Sequence, residues 1–237
     1  MQHKQEILNF FSPISFVEDT HTYYVEGKPL NKSVSGVIKD LVLPVDFAQK
    51  ALEVDNKNDL PLGSTSNLWR LNSELACAKG NKAHFFGELY TFHRNLTPTD
   101  GFETAIKSFW DTLPSNIIPV FTELVMYHKS AMFGGTADII LFNTLTEKYI
   151  IADYKTNKDL YKNFKDSRLL KPFSFLKDSN ISKYELQFSL YQTLLEQVSG
   201  VEVENRVLIW LKSDGSHSII FTTDYTEHVK SYIDENY

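Results

Sequence analysis

Asp138 and Asp153 have the strongest claim to chemistry in this chain of 237 residues. The first stands in Gly134-Gly135-Thr136-Ala137-Asp138, the second in Ile151-Ala152-Asp153-Tyr154-Lys155. If residues 136–142 and 149–154 are antiparallel strands joined by a short turn, the start of one faces the end of the other. The two carboxylates then sit side by side, where they repel unless a proton or a cation lies between them. Such an oxygen-rich pair suits Mg2+ or Mn2+, which bind through one or two carboxylates together with waters and substrate phosphate. Lys155 follows Asp153 by two residues and so points to the same face of a strand. There it can orient or deprotonate a water and neutralise charge building on a phosphate. An ordinary surface Asp-x-Lys pair is the competing reading. Against it, the apolar Tyr149-Ile150-Ile151-Ala152 run puts Asp153 at the tip of a buried strand. Gly134 and Gly135 also permit close backbone approach by a ligand.

Four further residues join as candidates. His84 has Glu88 one helical turn later and either pairs with it or offers a neutral ring nitrogen to the metal. Glu123 alternates with apolar neighbours in Phe121-Thr122-Glu123-Leu124 and ranks below the aspartates as a further ligand. Gln187 and Tyr191, four residues apart, share a helix face beside the core stripe of Leu186, Leu190 and Leu194. His21, His93, His128 and His217 have no comparable context.

The elements that must position these residues follow from local signals. Residues 14–17 and 21–25 read as a hairpin about Glu18-Asp19-Thr20. Residues 33–41 read as a helix, and Asp46 as the cap of another through Leu52, before a loop at 55–65. From 67 to 94 apolar residues recur at helical spacing (Leu68, Leu71, Leu75, Ala78, Phe85, Leu89, Phe92), with a break at Gly80. A helix over 101–112 turns Phe102, Ile106 and Phe109 to one side. Strands are expected at 117–127, 136–142 and 149–154, a helix from 184 to about 198, strands at 206–212 and 218–223, and a terminal helix. That order predicts a mixed α/β sheet with helical packing rather than a βαβ array. An N-terminal hairpin and helical appendage (1–65) would accompany a core (66–237) in one compact unit.

Composition sets the bounds. An apolar fraction of 42% with 14% aromatics supports a core and excludes general disorder. A lone Cys77 excludes an internal disulfide framework and any iron–sulfur cluster or four-cysteine zinc site. The Met1 start lacks a secretion-signal pattern, and no apolar run approaches the ~18 residues of a membrane span. A net charge of −6 argues at first against a nucleic-acid partner. Residues 155–183, however, hold eight basic residues against three acidic ones, a local +5 that leaves −11 elsewhere. Lys158, Lys162, Lys165, Arg168 and Lys171 are therefore expected to contact a nucleic-acid backbone. Phe173, with Tyr161, Phe164 and Phe175, interleaves them as a candidate for stacking on unpaired bases.

Taken in order, Gly80-x3-His84, Glu123, Gly135-x2-Asp138, Asp153-x-Lys155 and Gln187-x3-Tyr191 resembles the RecB-type branch of the PD-(D/E)XK nuclease superfamily. The flanks agree: Gly134 to Ile140 looks like its second motif, Asp153-Tyr154-Lys155-Thr156-Asn157-Lys158 its central one, and Tyr184-x2-Gln187-x3-Tyr191 its trailing helix. The similarity is specific over residues 78–195. More loosely, the N-terminal hairpin through Val37 resembles small phage-encoded nucleases of this type. The mitochondrial genome maintenance and CRISPR-associated exonucleases look like more distant relatives, the latter with a cluster that Cys77 alone cannot form. Asp153 fills a position where many members use Glu, and either carboxylate serves.

The resemblance implies a restriction-endonuclease-like core, a central mixed sheet flanked by helices. It implies that His84, Asp138, Asp153 and the Tyr154 carbonyl hold one or two Mg2+ or Mn2+ ions. Lys155 would position or activate the attacking water, and Gln187 and Tyr191 would orient Lys155 or touch the backbone. The implied activity is hydrolysis of DNA phosphodiesters, as an exonuclease on single-stranded or frayed ends in phage-type replication, recombination or repair. The setting would be the (host) cytoplasm, with no membrane and with a replication or recombination protein as a further partner. Other readings are an endonuclease of the same superfamily, a non-catalytic nucleic-acid-binding or assembly module on the same fold, and a metal-free acid–base hydrolase.

Overall fold

The computed structural model describes residues 3–237; Met1 and Gln2, where the stretch read for a secretion signal begins, lie outside them. Helix α1 (Lys4–Phe11) buries Ile7 and Phe11. It leads into a small antiparallel sheet of β1 (Ile14–Val17), β2 (Thr22–Val25) and β3 (Lys28–Pro29). The expected hairpin is there, its connection wound into a turn of 3-10 helix. β4 (Lys32–Ser33) then runs into α2 (Val34–Asp40), where the Ser33 hydroxyl accepts from the Gly36 amide at 3.0 Å. The Asp46 carboxylate caps α3 (Phe47–Lys57) likewise, accepting from the Gln49 amide at 2.8 Å. α3 continues past Leu52 to Lys57, so the loop after it is shorter than composition predicts.

α4 (Ser64–Phe92) is a single helix of 29 residues, unbroken at Gly80. One glycine in a helix interior costs only ~1 kcal/mol, too little to break so long a ladder. The start of α4 is held by Asp55 of α3, a buried side chain that accepts from the Gly63 and Thr65 amides at 2.8 and 2.9 Å. It satisfies amides that a helix start leaves without partners. The apolar stripe that marks α4 at helical spacing is not the face it buries. Leu68, Leu71, Leu75, Phe85 and Phe92 are exposed, and Ala83, Phe86 and Tyr90 pack inward instead. α5 (Gly101–Thr112), capped by Asp100, lies beside α4 in the same direction, with Asp100 at Lys82 and Trp110 at Arg94, and buries Ile106 and Phe109.

The main sheet contains β5 (Ile117–Tyr127), β6 (Phe133–Asn143), β7 (Lys148–Lys155), β8 (Val203–Leu211) and β9 (His217–Phe221), with β4 as its sixth strand. α6 (Asn180–Leu195) crosses from β7 to its parallel neighbour β8, and α7 (Thr226–Asn236) ends the chain. α6 starts four residues earlier than its hydrophobic pattern, because Ser179 caps it. The sheet is mixed: β5/β6, β6/β7 and β8/β9 are antiparallel, β4/β6 and β7/β8 parallel. Side chains alternate along β7 with period two. Tyr149 and Ile151 join the core under α1, α2, α6 and α7, whereas Ile150, Ala152 and Tyr154 join the one under α4 and α5. Ile7, Phe11, Val34, Val37 and Leu41 belong to the first core, so the segment before residue 65 shares sheet and core with the rest. Position 65 itself lies in the first turn of α4. Among the described residues no helix is long and apolar enough to cross a membrane.

Candidate metal centre

The two aspartates face each other where β6 and β7 part. Their ladder begins at Asn143/Lys148 and ends at Ile139/Ala152, one residue short of Asp138 and Asp153. Beyond that point β7 stays with β8 as far as Lys155/Trp210. Gly134 of β6 pairs with Tyr127 of β5 on one edge, so its pairing with Ser33 of β4 uses the edge that β7 has left. A notch therefore opens along β6 between β4 and β7, with a carboxylate on each side. Like charges directly opposite in a tight ladder destabilise a sheet, and the divergence relieves that pair.

His84 closes the notch from α4. Its Nδ1 lies 2.7 Å from Asp138 Oδ2 and its Nε2 3.9 Å from Asp153 Oδ1. One ligand atom from each of His84, Asp138 and Asp153 falls within 4.8 Å of the others. Both carboxylate oxygens on the histidine side are buried and, among the described residues, accept no hydrogen bond; His84 Nδ1 is near Asp138 but not aligned to donate. Buried oxygens without donors are costly, and one nitrogen with hard carboxylate oxygens is a donor set that Mg2+ or Mn2+ accepts. The residues fit a divalent cation. No hydrogen bond or ion pair joins His84 to Glu88, so the alternative partner of His84 is not used.

Without a cation, protons and cations of the protein hold the charges. Asp153, with 3% of its side chain exposed against 18% for Asp138, is the deeper of the pair. Burial, and then the charge of Asp138, push its carboxyl up to about 8. Burial opposes the Asp138 charge too, but the Asp153 proton and cationic His84 hold that carboxyl below its ordinary value. For His84, burial works against the cation, yet Asp138 and then Asp153 raise it to about 9. Lys155 Nζ touches the Asp153 carboxyl and stays an ammonium: burial disfavours the charge, and the negative charge that the two aspartates share outweighs burial. As an ammonium it is able to orient a neighbour or neutralise charge but holds no lone pair to act as a base.

Lys155 is positioned by Tyr184 and Asn157, two residues of the quoted motifs that carried no assigned role. Its Nζ lies over the Tyr184 ring, 4.7 Å from the centroid. The Tyr184 hydroxyl donates to Asn157 Oδ1 at 2.7 Å, and Trp210 Nε1 donates to the Asn157 carbonyl at 2.7 Å. Tyr184 stands one turn before Gln187, and Asn157 two residues after Lys155, so the spacing itself was a signal. Gln187, expected to reach Lys155, instead donates to the Tyr191 hydroxyl at 3.1 Å. Burial and the nearby Asp138 keep that hydroxyl protonated. The Tyr154 main chain pairs with Ile209, and its ring turns to the opposite side of the sheet, where its hydroxyl accepts from Trp110 Nε1 at 2.7 Å.

Glu123 sits opposite Asp138, between the pairs Thr122/Ile139 and Leu124/Ala137, and takes a left-handed φ of 50° that removes it from the ladder. It lies outside the three-residue cluster, on the solvent-accessible rim. Desolvation and the charge of Asp138 lift its carboxyl to about 7. The two glycines before Asp138 do not leave room for a ligand. A Cβ on Gly134 would meet Leu30 at 2.7 Å, and one on Gly135 would meet Val34 and Tyr191 at 2.8 and 2.9 Å. They let β4, α2 and α6 close on β6.

The basic segment between β7 and α6 is irregular, and Lys158, Lys162, Lys165, Arg168 and Lys171 are all exposed. Phe173 is not available to a base: it is 1% exposed, packed in the core beside Tyr232. The Leu169 and Phe173 side chains anchor the segment, while Tyr161, Phe164 and Phe175 remain exposed. Immediately beyond Lys155, a cleft of about 980 Å3 opens between Thr156-Asn157-Lys158, the Lys79 side of α4, and the β8–β9 turn with Lys212.

No family model matches this sequence, and no curated protein matches it.

Proposed function

We propose that this chain is a metal-dependent nuclease that hydrolyses DNA phosphodiester bonds, with the restriction-endonuclease-like core of the RecB-type PD-(D/E)XK branch. The observation that carries this reading is the pair of buried, donor-free oxygens on Asp138 and Asp153, facing His84 and flanked by the Lys155 ammonium. His84, Asp138 and Asp153 would hold Mg2+ or Mn2+, which polarises a phosphoryl oxygen and acidifies water at neutral pH. Lys155 then offsets charge that builds on the phosphate, and its ammonium is held over Tyr184 without freedom to swing away. The Tyr191 hydroxyl, backed by Gln187, is a neutral donor near the carboxylates. The cleft beyond Lys155, with Lys79, Lys158 and Lys212 on its walls, gives a single strand a path to the notch. That path supports an exonuclease acting on single-stranded or frayed ends.

The test is incubation of the purified chain with end-labelled single-stranded DNA and Mg2+ or Mn2+, beside Asp153→Ala and Lys155→Ala. Cleavage by the wild type alone is expected. No cleavage, or equal cleavage by the variants, would overturn the enzyme reading. Degradation of a covalently closed single-stranded circle would make it an endonuclease, and activity surviving EDTA would remove the metal.

A further inference from the structure

α4 carries an apolar seam that none of the described residues covers. With Leu68 as position a of a heptad, every a and d position through Phe92 is apolar except Lys82. Four successive a/d pairs are the pattern of a coiled-coil seam rather than of a stripe buried in a globular core. Exposure agrees, since Leu71, Leu75 and Phe85 are 48%, 59% and 64% exposed. The face that packs on the sheet, through Ala83, Phe86, Gly87 and Tyr90, is the opposite one. α3 lies to one side, where Phe47 meets Trp69 edge-on at 6.4 Å. Residues 66–79 are exposed all round. Most helical stability in proteins comes from packing an apolar face, and the first half of α4 packs little of its own.

We infer that this seam pairs with α4 of a second copy of the chain, in parallel. The charges beside the seam select that occupant and direction. In a parallel pair each g position faces the e position five residues on in the other helix, and these charges set orientation. Glu74 and Glu88 occupy g; Lys79 is the e position matching Glu74, and His93, matching Glu88, is the cap just past the last helical residue, Phe92. Glu74 therefore meets the partner's Lys79, and Glu88 the partner's His93. An antiparallel pair of the same helices would bring Glu74 toward the partner's Glu88. Lys82, the polar a residue, is already neutralised by Asp100 at 2.6 Å and Glu103 at 3.3 Å. A single polar a position fixes register in such pairs. From 68 to 92 the seam runs ~36 Å, enough for the ~800 Å2 per partner of a standard stable interface. His84 points to Asp138, away from the seam, whereas Leu75 and Lys79 also line the cleft beyond Lys155, so the partner helix borders that cleft.

Light scattering on the full chain tests this. The wild type is expected at twice the chain mass, and Leu71→Glu with Leu75→Glu at the chain mass with an unchanged far-ultraviolet circular dichroism spectrum. In a Cys77→Ser, Ala78→Cys background, oxidation should cross-link two copies through position d. That cross-link forms in a parallel pair in register. A monomer at ~100 µM, or a dimer indifferent to the double variant, would overturn the proposal. A seam-dependent dimer without the cross-link would overturn the parallel register. Loss of DNA affinity by a double variant whose parent is monomeric would assign the face to nucleic acid instead.

Discussion

At the scale of single residues, the protonation of the notch decides behaviour before any substrate arrives. Asp153 rises from 3.8 to about 8 and His84 from 6.5 to about 9 in the folded chain. Both shifts are upward, so the folded state binds more protons than the unfolded one across that window. The stability contributed by the His84 cation is complete below 6.5 and is lost as pH rises through about 9. In EDTA, melting temperature should therefore fall from pH 6.5 to pH 9, and saturating Mn2+ should remove most of that fall. The same protons must leave when metal enters. Calorimetry in buffers of different ionisation enthalpy should show about two protons released per site at pH 7, with affinity rising toward pH 9. Release of none would mean that the metal does not displace the Asp153 and His84 protons. Lys155→Ala should slow cleavage ~10²–10³-fold, the usual loss when one preorganised charge is removed, with its circular dichroism intact.

Elements decide what each residue can reach, and the two glycines of α4 show how. Gly80 has only Thr156 Oγ1 near a would-be Cβ, at 3.7 Å, whereas a Cβ on Gly87 would run into the Tyr154 ring. Gly80→Ala should thus gain up to ~1 kcal/mol of helix propensity. Gly87→Ala gains the same propensity but meets an overpacking cost of ~1–3 kcal/mol, and should be net destabilising. Urea titration of the two variants should give shifts of opposite sign; equal shifts would mean that α4 does not press on Tyr154. Because His84 lies one turn before Gly87, the second variant should also weaken Mn2+ binding. The sequence named this helix, its histidine and its apolar stripe, but not the face that meets the sheet. Residues 68–92 do repeat at helical spacing, and periodicity cannot say which face meets the sheet. The smaller set of Ala83, Phe86, Gly87 and Tyr90 is chosen because Tyr154 and α5 need a close approach there.

For the whole molecule, the net charge of −6 is an average over unlike parts. Part of the acidity is gathered in the notch, while the segment after β7 turns its basic side chains outward. Charge reversal at Lys162, Lys165 and Arg168 should weaken single-stranded DNA binding and lower its salt slope by about 2, the value for three lost phosphate contacts. Fluorescence anisotropy between 50 and 200 mM salt would read it, the range over which such contacts act. Phe173→Ala should behave differently. A buried phenylalanine truncated in a core costs ~3–5 kcal/mol, so this variant should lose stability in urea while the anisotropy slope of its folded fraction holds. A changed slope with unchanged stability would make Phe173 a contact of the proposed nucleic-acid partner after all.

Sequence by itself determined what short-range physics controls. The turn between β6 and β7 and the period-two pattern around it brought Asp138 opposite Asp153, and Ser33, Asp46 and the apolar runs marked the starts of α2, α3 and the strands. These signals are legible because the groups that satisfy one another lie within a few residues. Tertiary structure alone decided that β4 takes the edge of β6 that β7 abandons, which opens the notch. It also decided that His84 comes to Asp138 rather than to Glu88, that Tyr184 rather than Gln187 steadies Lys155, and that Phe173 is buried. Each of those outcomes depends on partners far away in the chain. Their selection is a competition among surfaces for burial, and spacing along the chain does not record it.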